Sequence, residues 1–254
     1  MPDSAQRFTT RVESYIKYRP GYPAEVIELL RSECGLINEA VVADIGSGTG
    51  ILSELILKNG NAVFGVEPNE AMRTAGEQLL RGYPLFTSIN GSAEKTTLPE
   101  DSVDLITAGQ AFHWFDVPVA RREFSRILKP GGFVALIWND RRVDSTPFLR
   151  AYEDLLMNFG TDYGQVRELY GESAVQEFFA QLGFKVKSFD SIQPFDFAGL
   201  KGRTLSASYT PEPGQPNFQP MMERLREIFD QYQANGQVAF EYDTKVYYGP
   251  LSSA

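Results

Sequence analysis

Val41-Val42-Ala43-Asp44-Ile45-Gly46-Ser47-Gly48-Thr49-Gly50 decides how this chain folds. A short apolar run ends in glycines, and Ile51, Leu52, Leu55 and Ile56 then fall on one helical face. That order predicts a buried parallel strand turning directly into a helix. Glycine lets the backbone take positive φ and approach a ligand closely. The helix start presents unpaired N–H groups and a partial positive charge. Two details narrow the ligand. The glycines are Gly46, Gly48 and Gly50, and Ile51 fills the slot that the dinucleotide fingerprint reserves for its last glycine. Asp44 lies inside the strand, just before the turn. A carboxylate there repels a pyrophosphate and attracts a cation.

The same alternation continues outward. Further strands are predicted at 61–66, 84–89, 103–108 and 133–138. One intervening helix carries Met72, Ala75, Leu79 and Leu80. Another, over 118–128, sets Ala120, Phe124, Ile127 and Leu128 against Arg121, Arg122, Glu123 and Arg126, and Pro130, Gly131 and Gly132 stop it. Alternation from 40 to 140 predicts an open, parallel α/β sheet covered on both faces. Such sheets bind ligands beyond the carboxyl ends of their strands, just after positions 45, 66, 89, 108 and 138.

The flanks read differently. Helices are expected at 23–31, over most of 144–182, and at 197–208 and 217–233. Segments 184–191 and 238–248 alternate like an antiparallel edge pair, and the proline-rich 210–220 reads as extended. No clean linker interrupts the chain. The expectation is one domain over 1–254, with N-terminal helices at 1–35 that a family resemblance makes a lid, a cofactor-binding core at 40–140, a helical cover at 144–235 and an edge strand at 238–248.

Composition sets outer limits. Cys34 is the single cysteine, so an intrachain disulfide is excluded, which suits the cytoplasm. The formal net charge of −9 argues against a nucleic-acid partner. No apolar run approaches the roughly 20 residues that span a bilayer, and MPDSAQRF has no signal-like pattern.

Several residues stand at the predicted ligand rim. Glu67 ends the second strand, about 20 residues beyond the first glycine, where an acid accepts from ribose hydroxyls. His113 is the single histidine and follows the fourth strand, a position for a general base near neutrality or, with Trp114, for packing on a ligand. Arg141 and Arg142 follow the fifth strand, where a paired arginine suits a bidentate anionic acceptor. Phe8, Tyr15, Tyr18 and Tyr22 offer aromatic faces to a cation, and Arg19 offers a partner to a carboxylate.

Four strings in order, VVADIGSGTG, VFGVEPNEAM, NGSAEKTTLPEDSVDLITAGQAFHWFD and LKPGGFVAL, resemble the motif set of class I S-adenosylmethionine-dependent methyltransferases. FTTRVESYIKYRPGYP and QAFHWFD further resemble a small-molecule subgroup that includes trans-aconitate methyltransferase. The resemblance implies a Rossmann-like fold with a mostly parallel seven-stranded sheet, an antiparallel edge hairpin and a helical cover. It implies that Gly46, Gly48 and Gly50 line S-adenosylmethionine, with Asp44 at its methionine end and Glu67 on its ribose. Pro68, Met72, Ala93 and Glu94 would flank the adenine, Glu94 accepting from its amino group. Gln110 and Ala111 would lie beside the methionine and ribose. The expected activity is methyl transfer to a small molecule, a carboxylate among the options, driven by proximity and exclusion of water. An NAD-dependent oxidoreductase, a non-catalytic S-adenosylmethionine sensor and a methyltransferase acting on protein or RNA are the competing readings.

Overall fold

The glycine turn opens a helix. In the computed structural model, which describes residues 16–164, 172–179 and 182–251, β1 (Val41–Ile45) runs through the turn into α2 (Ile51–Lys58), after α1 (Glu25–Glu33). Then follow β2 (Ala62–Val66), α3 (Glu70–Leu80), β3 (Phe86–Ile89), β4 (Val103–Gly109), a 3-10 turn (Phe112–Trp114), α4 (Val117–Ile127) and β5 (Leu128–Arg141). The cover holds α5 (Pro147–Phe159), α6 (Glu172–Phe179), β6 (Lys185–Phe195), α7 (Phe197–Leu205) and α8 (Phe218–Tyr232), and β7 (Val238–Pro250) follows.

The sheet has seven strands in the order β3-β2-β1-β4-β5-β7-β6. The first five are parallel, and β7 runs antiparallel between β5 and β6. The predicted edge pair therefore exists, but β7 is its inner member. Apolar side chains fill both faces. Ile45, Ile106, Leu136, Phe124 and Phe178 pack on one face, and Leu30, Val42, Ile56 and Ala135 on the other. Burying each large apolar side chain contributes about 1.5–3 kcal/mol. A third cluster, around Leu149, Tyr152, Leu225 and Phe240, holds the cover helices to the long end of β7.

Differences from the sequence reading fall at element ends. β5 begins at Leu128 rather than 133, because Leu128 pairs with Val103 before a bulge and Phe133 with Leu105 after it. β6 runs to Phe195, beyond the expected 191, because β7 is long enough to pair with all of it. Within 210–220, Pro220 lies inside the first turn of α8, where its missing N–H has no intrahelical partner to lose. Phe8 and Tyr15 lie outside the described residues. No helix among the described residues is long and apolar enough to cross a membrane.

Candidate active site

Two adjoining cavities open at the carboxyl ends of β1, β4 and β5. The smaller, about 30 Å³, lies over the glycine turn. The larger, about 620 Å³, extends from Gln110 and His113 towards the cover and β7. Arg19 and Gln110 line both and mark their junction.

The turn needs its glycines for separate reasons. Gly46, Gly48 and Gly50 all have positive φ, at 68°, 57° and 88°. A Cβ on Gly46 would also stand 2.5 Å from the Ala111 Cβ, so the turn and the loop after β4 are in backbone-level contact. Gly48 has only the Met72 Cε near, at 3.5 Å. Met72 itself is buried, with its amide held by the N-cap Asn69 side chain at 3.0 Å.

Two acids close this cradle. Asp44 is 1 % exposed and accepts from Ser53 Oγ (2.6 Å) and Thr107 Oγ1 (3.1 Å). Burial pushes its carboxyl up to about 6, with the nearby Glu67 adding a smaller push. Glu67 accepts from the amides of Gly48 (2.9 Å) and Asn69 (2.8 Å), and burial raises it as well. Two buried acids side by side suit a ligand bearing a cation and hydroxyl donors. The Thr49 hydroxyl is buried at the same turn, lines the small cavity, and has no partner among the described residues. Sequence reading passed over Thr49 because a threonine within a glycine turn carries no signal of its own. Acid chemistry, glycine cradle and unpartnered hydroxyl together fit the amino-acid and ribose parts of S-adenosylmethionine.

Gln110 takes φ 57°, an uncommon conformation for a non-glycine residue. Its amide donates to Ile137 O (2.9 Å) and its side chain to Asn139 O (3.1 Å), so the strain is held between β4 and β5. Ala111 and Ala93 are buried and Pro68 is exposed. Residues 18–22 are fastened over the rim at three points. Gln193 Nε2 donates to Tyr18 O (3.2 Å), Arg19 donates to Ser206 O (3.1 Å) and Asn139 Nδ2 to Gly21 O (3.0 Å).

Several expectations change. The Tyr18 ring packs on Gly202, which has no room for a Cβ, and Tyr22 instead lines the small cavity. Glu94 is engaged within the protein, accepting from the Asp116 amide at 2.9 Å. Arg141 and Arg142 line the large cavity without forming a clamp, since neighbouring residues leaving a strand point to opposite sides. Arg141 turns inward to Glu153 (2.5 Å) and Tyr163 (3.0 Å), with Tyr152 under its guanidinium. Arg142 lies at the edge with Asp243 and Asp190. His113 and Trp114 line the large cavity with their rings 4.7 Å apart. Burial, and secondarily the charge of Arg19, lowers the His113 imidazolium to about 3, far from the neutral range expected of a free histidine. Among the described residues no cluster of three or more metal-ligating side chains occurs.

Residues 43–136, which hold the glycine turn, both acids and most of the run from β1 to β5, match the model of a family described as a methyltransferase domain. Over 150 residues the chain is 33 % identical to an uncharacterised methyltransferase of Schizosaccharomyces pombe, covering 59 % of this chain and 58 % of that one. Over 139 residues it is 34 % identical to an uncharacterised methyltransferase of Mycobacterium tuberculosis, covering 55 % and 54 %. The chain thus spans a little over half the length of these curated relatives. A putative type II methyltransferase from Anaeromyxobacter dehalogenans shares the fold with a TM-score of 0.64 at 19 % identity, over 93 % of this chain and all of the other. A putative methyltransferase from an antibiotic biosynthesis pathway of Anabaena variabilis shares it at 0.61 and 19 %, over 92 % and 99 %.

Proposed function

We propose that the protein is a class I methyltransferase that transfers the methyl group of S-adenosylmethionine to a small molecule held in the large cavity, with a carboxylate oxygen as the favoured acceptor atom. The observation that carries this reading is the junction at Gln110 and Arg19, which joins the acid-lined cradle to a chamber of about 620 Å³. When bound, the cofactor would supply an electrophilic methyl group on a sulfonium sulfur, open to a lone pair of the acceptor.

The chain's own residues bind, orient and exclude water. Asp44 would face the ammonium of the amino-acid moiety, and Glu67 would accept from the ribose hydroxyls with lone pairs its backbone partners leave open. Arg19, which lines the small cavity, would meet the amino-acid carboxylate. Met72, Ala93 and Ala111 are buried and would supply apolar surface to the cofactor. His113 and Trp114 would face the acceptor. An imidazole whose conjugate acid lies near 3 is a poor proton acceptor, so His113 is better suited to orient an acceptor than to deprotonate it. A carboxylate, already ionised at neutral pH, needs no base. The QAFHWFD string and the aromatic N-terminal segment support a small acceptor.

The test has two readouts. S-adenosylhomocysteine, and not NAD, should raise the melting temperature of purified protein. Label from S-[methyl-³H]adenosylmethionine should pass into some member of a panel of carboxylic acids, phenols and amines. Absence of any S-adenosylhomocysteine binding would end the reading.

A further inference from the structure

We infer that Arg203 is the anion-binding residue of the large cavity, so that the acceptor carries an oxyanion held there while another of its atoms takes the methyl group. This rests on the methyl-transfer reading for the role of the chamber. Arg203 sits on α7, is 6 % exposed, and lines the large cavity. Arginine keeps its charge throughout the accessible pH range, and a buried charge is costly unless paired. Three other cations of the chamber have carboxylates: Glu153 for Arg141, Asp243 and Asp190 for Arg142, Asp140 for Lys245. Among the described residues Arg203 has none. Its side-chain hydrogen bond runs from Nε to the Tyr242 hydroxyl at 3.3 Å, and the Phe240 ring lies 5.8 Å from its guanidinium carbon.

That bond also aims it. The Tyr242 hydroxyl donates to Gln193 Oε1 at 3.2 Å, so its oxygen is left to accept from Arg203. With Nε fixed, the remaining donors of the guanidinium fork are available to one planar oxyanion, the arrangement in which arginine binds most selectively. Arg203 lines the large cavity and not the small one, so an anion on it lies away from the junction where the methyl group would arrive. The group it holds is therefore an anchor. The acceptor class is a small bifunctional acid: a hydroxy acid, or a diacid whose second carboxylate receives the methyl group.

The test compares charged and uncharged partners by calorimetry: 4-hydroxybenzoate with 4-hydroxybenzamide, glutarate with glutaramide, and phenyl phosphate with phenol. At least one acid should bind wild-type protein more tightly than its neutral counterpart, the phosphate arm separating phosphate from carboxylate preference. Arg203→Met should weaken that acid by about 30-fold or more and leave its neutral counterpart within about twofold. Arg203→Lys should recover part of the loss. S-adenosylhomocysteine affinity, measured in parallel, should be unchanged in both. If Arg203→Met does not fold, Tyr242→Phe, which removes the aiming oxygen, should still weaken the acid selectively. No charge preference in wild-type protein, or equal loss for acid and neutral partner in the variants, overturns the inference. Loss of S-adenosylhomocysteine binding by wild-type protein instead sinks the methyl-transfer reading, and anion binding remains measurable without it.

Discussion

The carboxylate of Glu67 accepts the Gly48 amide at 2.9 Å, tying the end of β2 to the glycine turn that follows β1. One side chain thus holds the loop in shape and presents the oxygens proposed to meet the ribose. Glu67→Gln keeps the volume but turns an N–H₂ towards backbone donors at Gly48 or Asn69. S-adenosylhomocysteine affinity should fall by about 10-fold or more, read by calorimetry. Unchanged affinity would remove Glu67 from the cofactor site.

Asp44 and the pH dependence of stability form a second test. Its carboxyl titrates near 6 when folded and near 3.9 when unfolded. The folded chain therefore binds this proton more tightly, and the Asp44 contribution falls as pH rises from about 4 to about 6, then levels off. Asp44→Asn should stabilise ligand-free protein at pH 7, by up to about 3 kcal/mol, while weakening S-adenosylhomocysteine. In wild-type protein, affinity for that ligand should drop below about pH 6. Urea titrations and calorimetry between pH 4.5 and 8 measure both.

His113 contributes with the opposite sign. Burial lowers its pKa to about 3, so the unfolded chain takes the proton first. Its contribution is complete above about 6.5 and drains away as pH falls towards 3. His113→Gln should therefore flatten the acid loss of stability, and the pH profile of methyl transfer should lack an inflection due to histidine between 6 and 8. A histidine-like inflection that the substitution abolishes would restore His113 as a base.

Gly46→Ala combines left-handed φ with the 2.5 Å approach to the Ala111 Cβ. It should cost about 2 kcal/mol or more in denaturant unfolding. Adding Ala111→Gly should return part of that loss, because it relieves the contact and leaves the φ penalty.

The two neighbouring arginines should behave differently. The Arg141 and Glu153 side chains are only 10 % and 12 % exposed, and Arg141→Met should destabilise by about 3 kcal/mol. Arg142 bridges acids at the sheet edge, and Arg142→Ala should cost about 1 kcal/mol or less. Equal losses would contradict the inward and outward placement.

Local patterns carried much of this structure in the sequence. β1, its glycine turn and α2 were legible because apolar run, positive-φ residues and helical face follow one another without a gap. The five parallel strands followed from the same alternation. The position of β7 between β5 and β6 was not legible, because alternation names a strand without naming its neighbours. Arg203 escaped for a related reason. It lies in FAGLKGRTL, a stretch with no motif, and its meaning comes from Tyr242 and Phe240, which reach it from a strand far along the chain. The arginine pair at 141 and 142 misled in reverse: adjacency in sequence suggested joint action, and strand geometry separated them.

The inner place of β7 orders assembly during synthesis. The parallel strands that carry the glycine turn can associate once β5 has emerged, whereas β6, made earlier than β7, has no hydrogen-bonded seat until β7 arrives to bridge it to β5. Asp243 and Lys245 of the large cavity travel on that same late strand. A nascent chain would thus form its glycine turn before the neighbouring chamber has all of its walls.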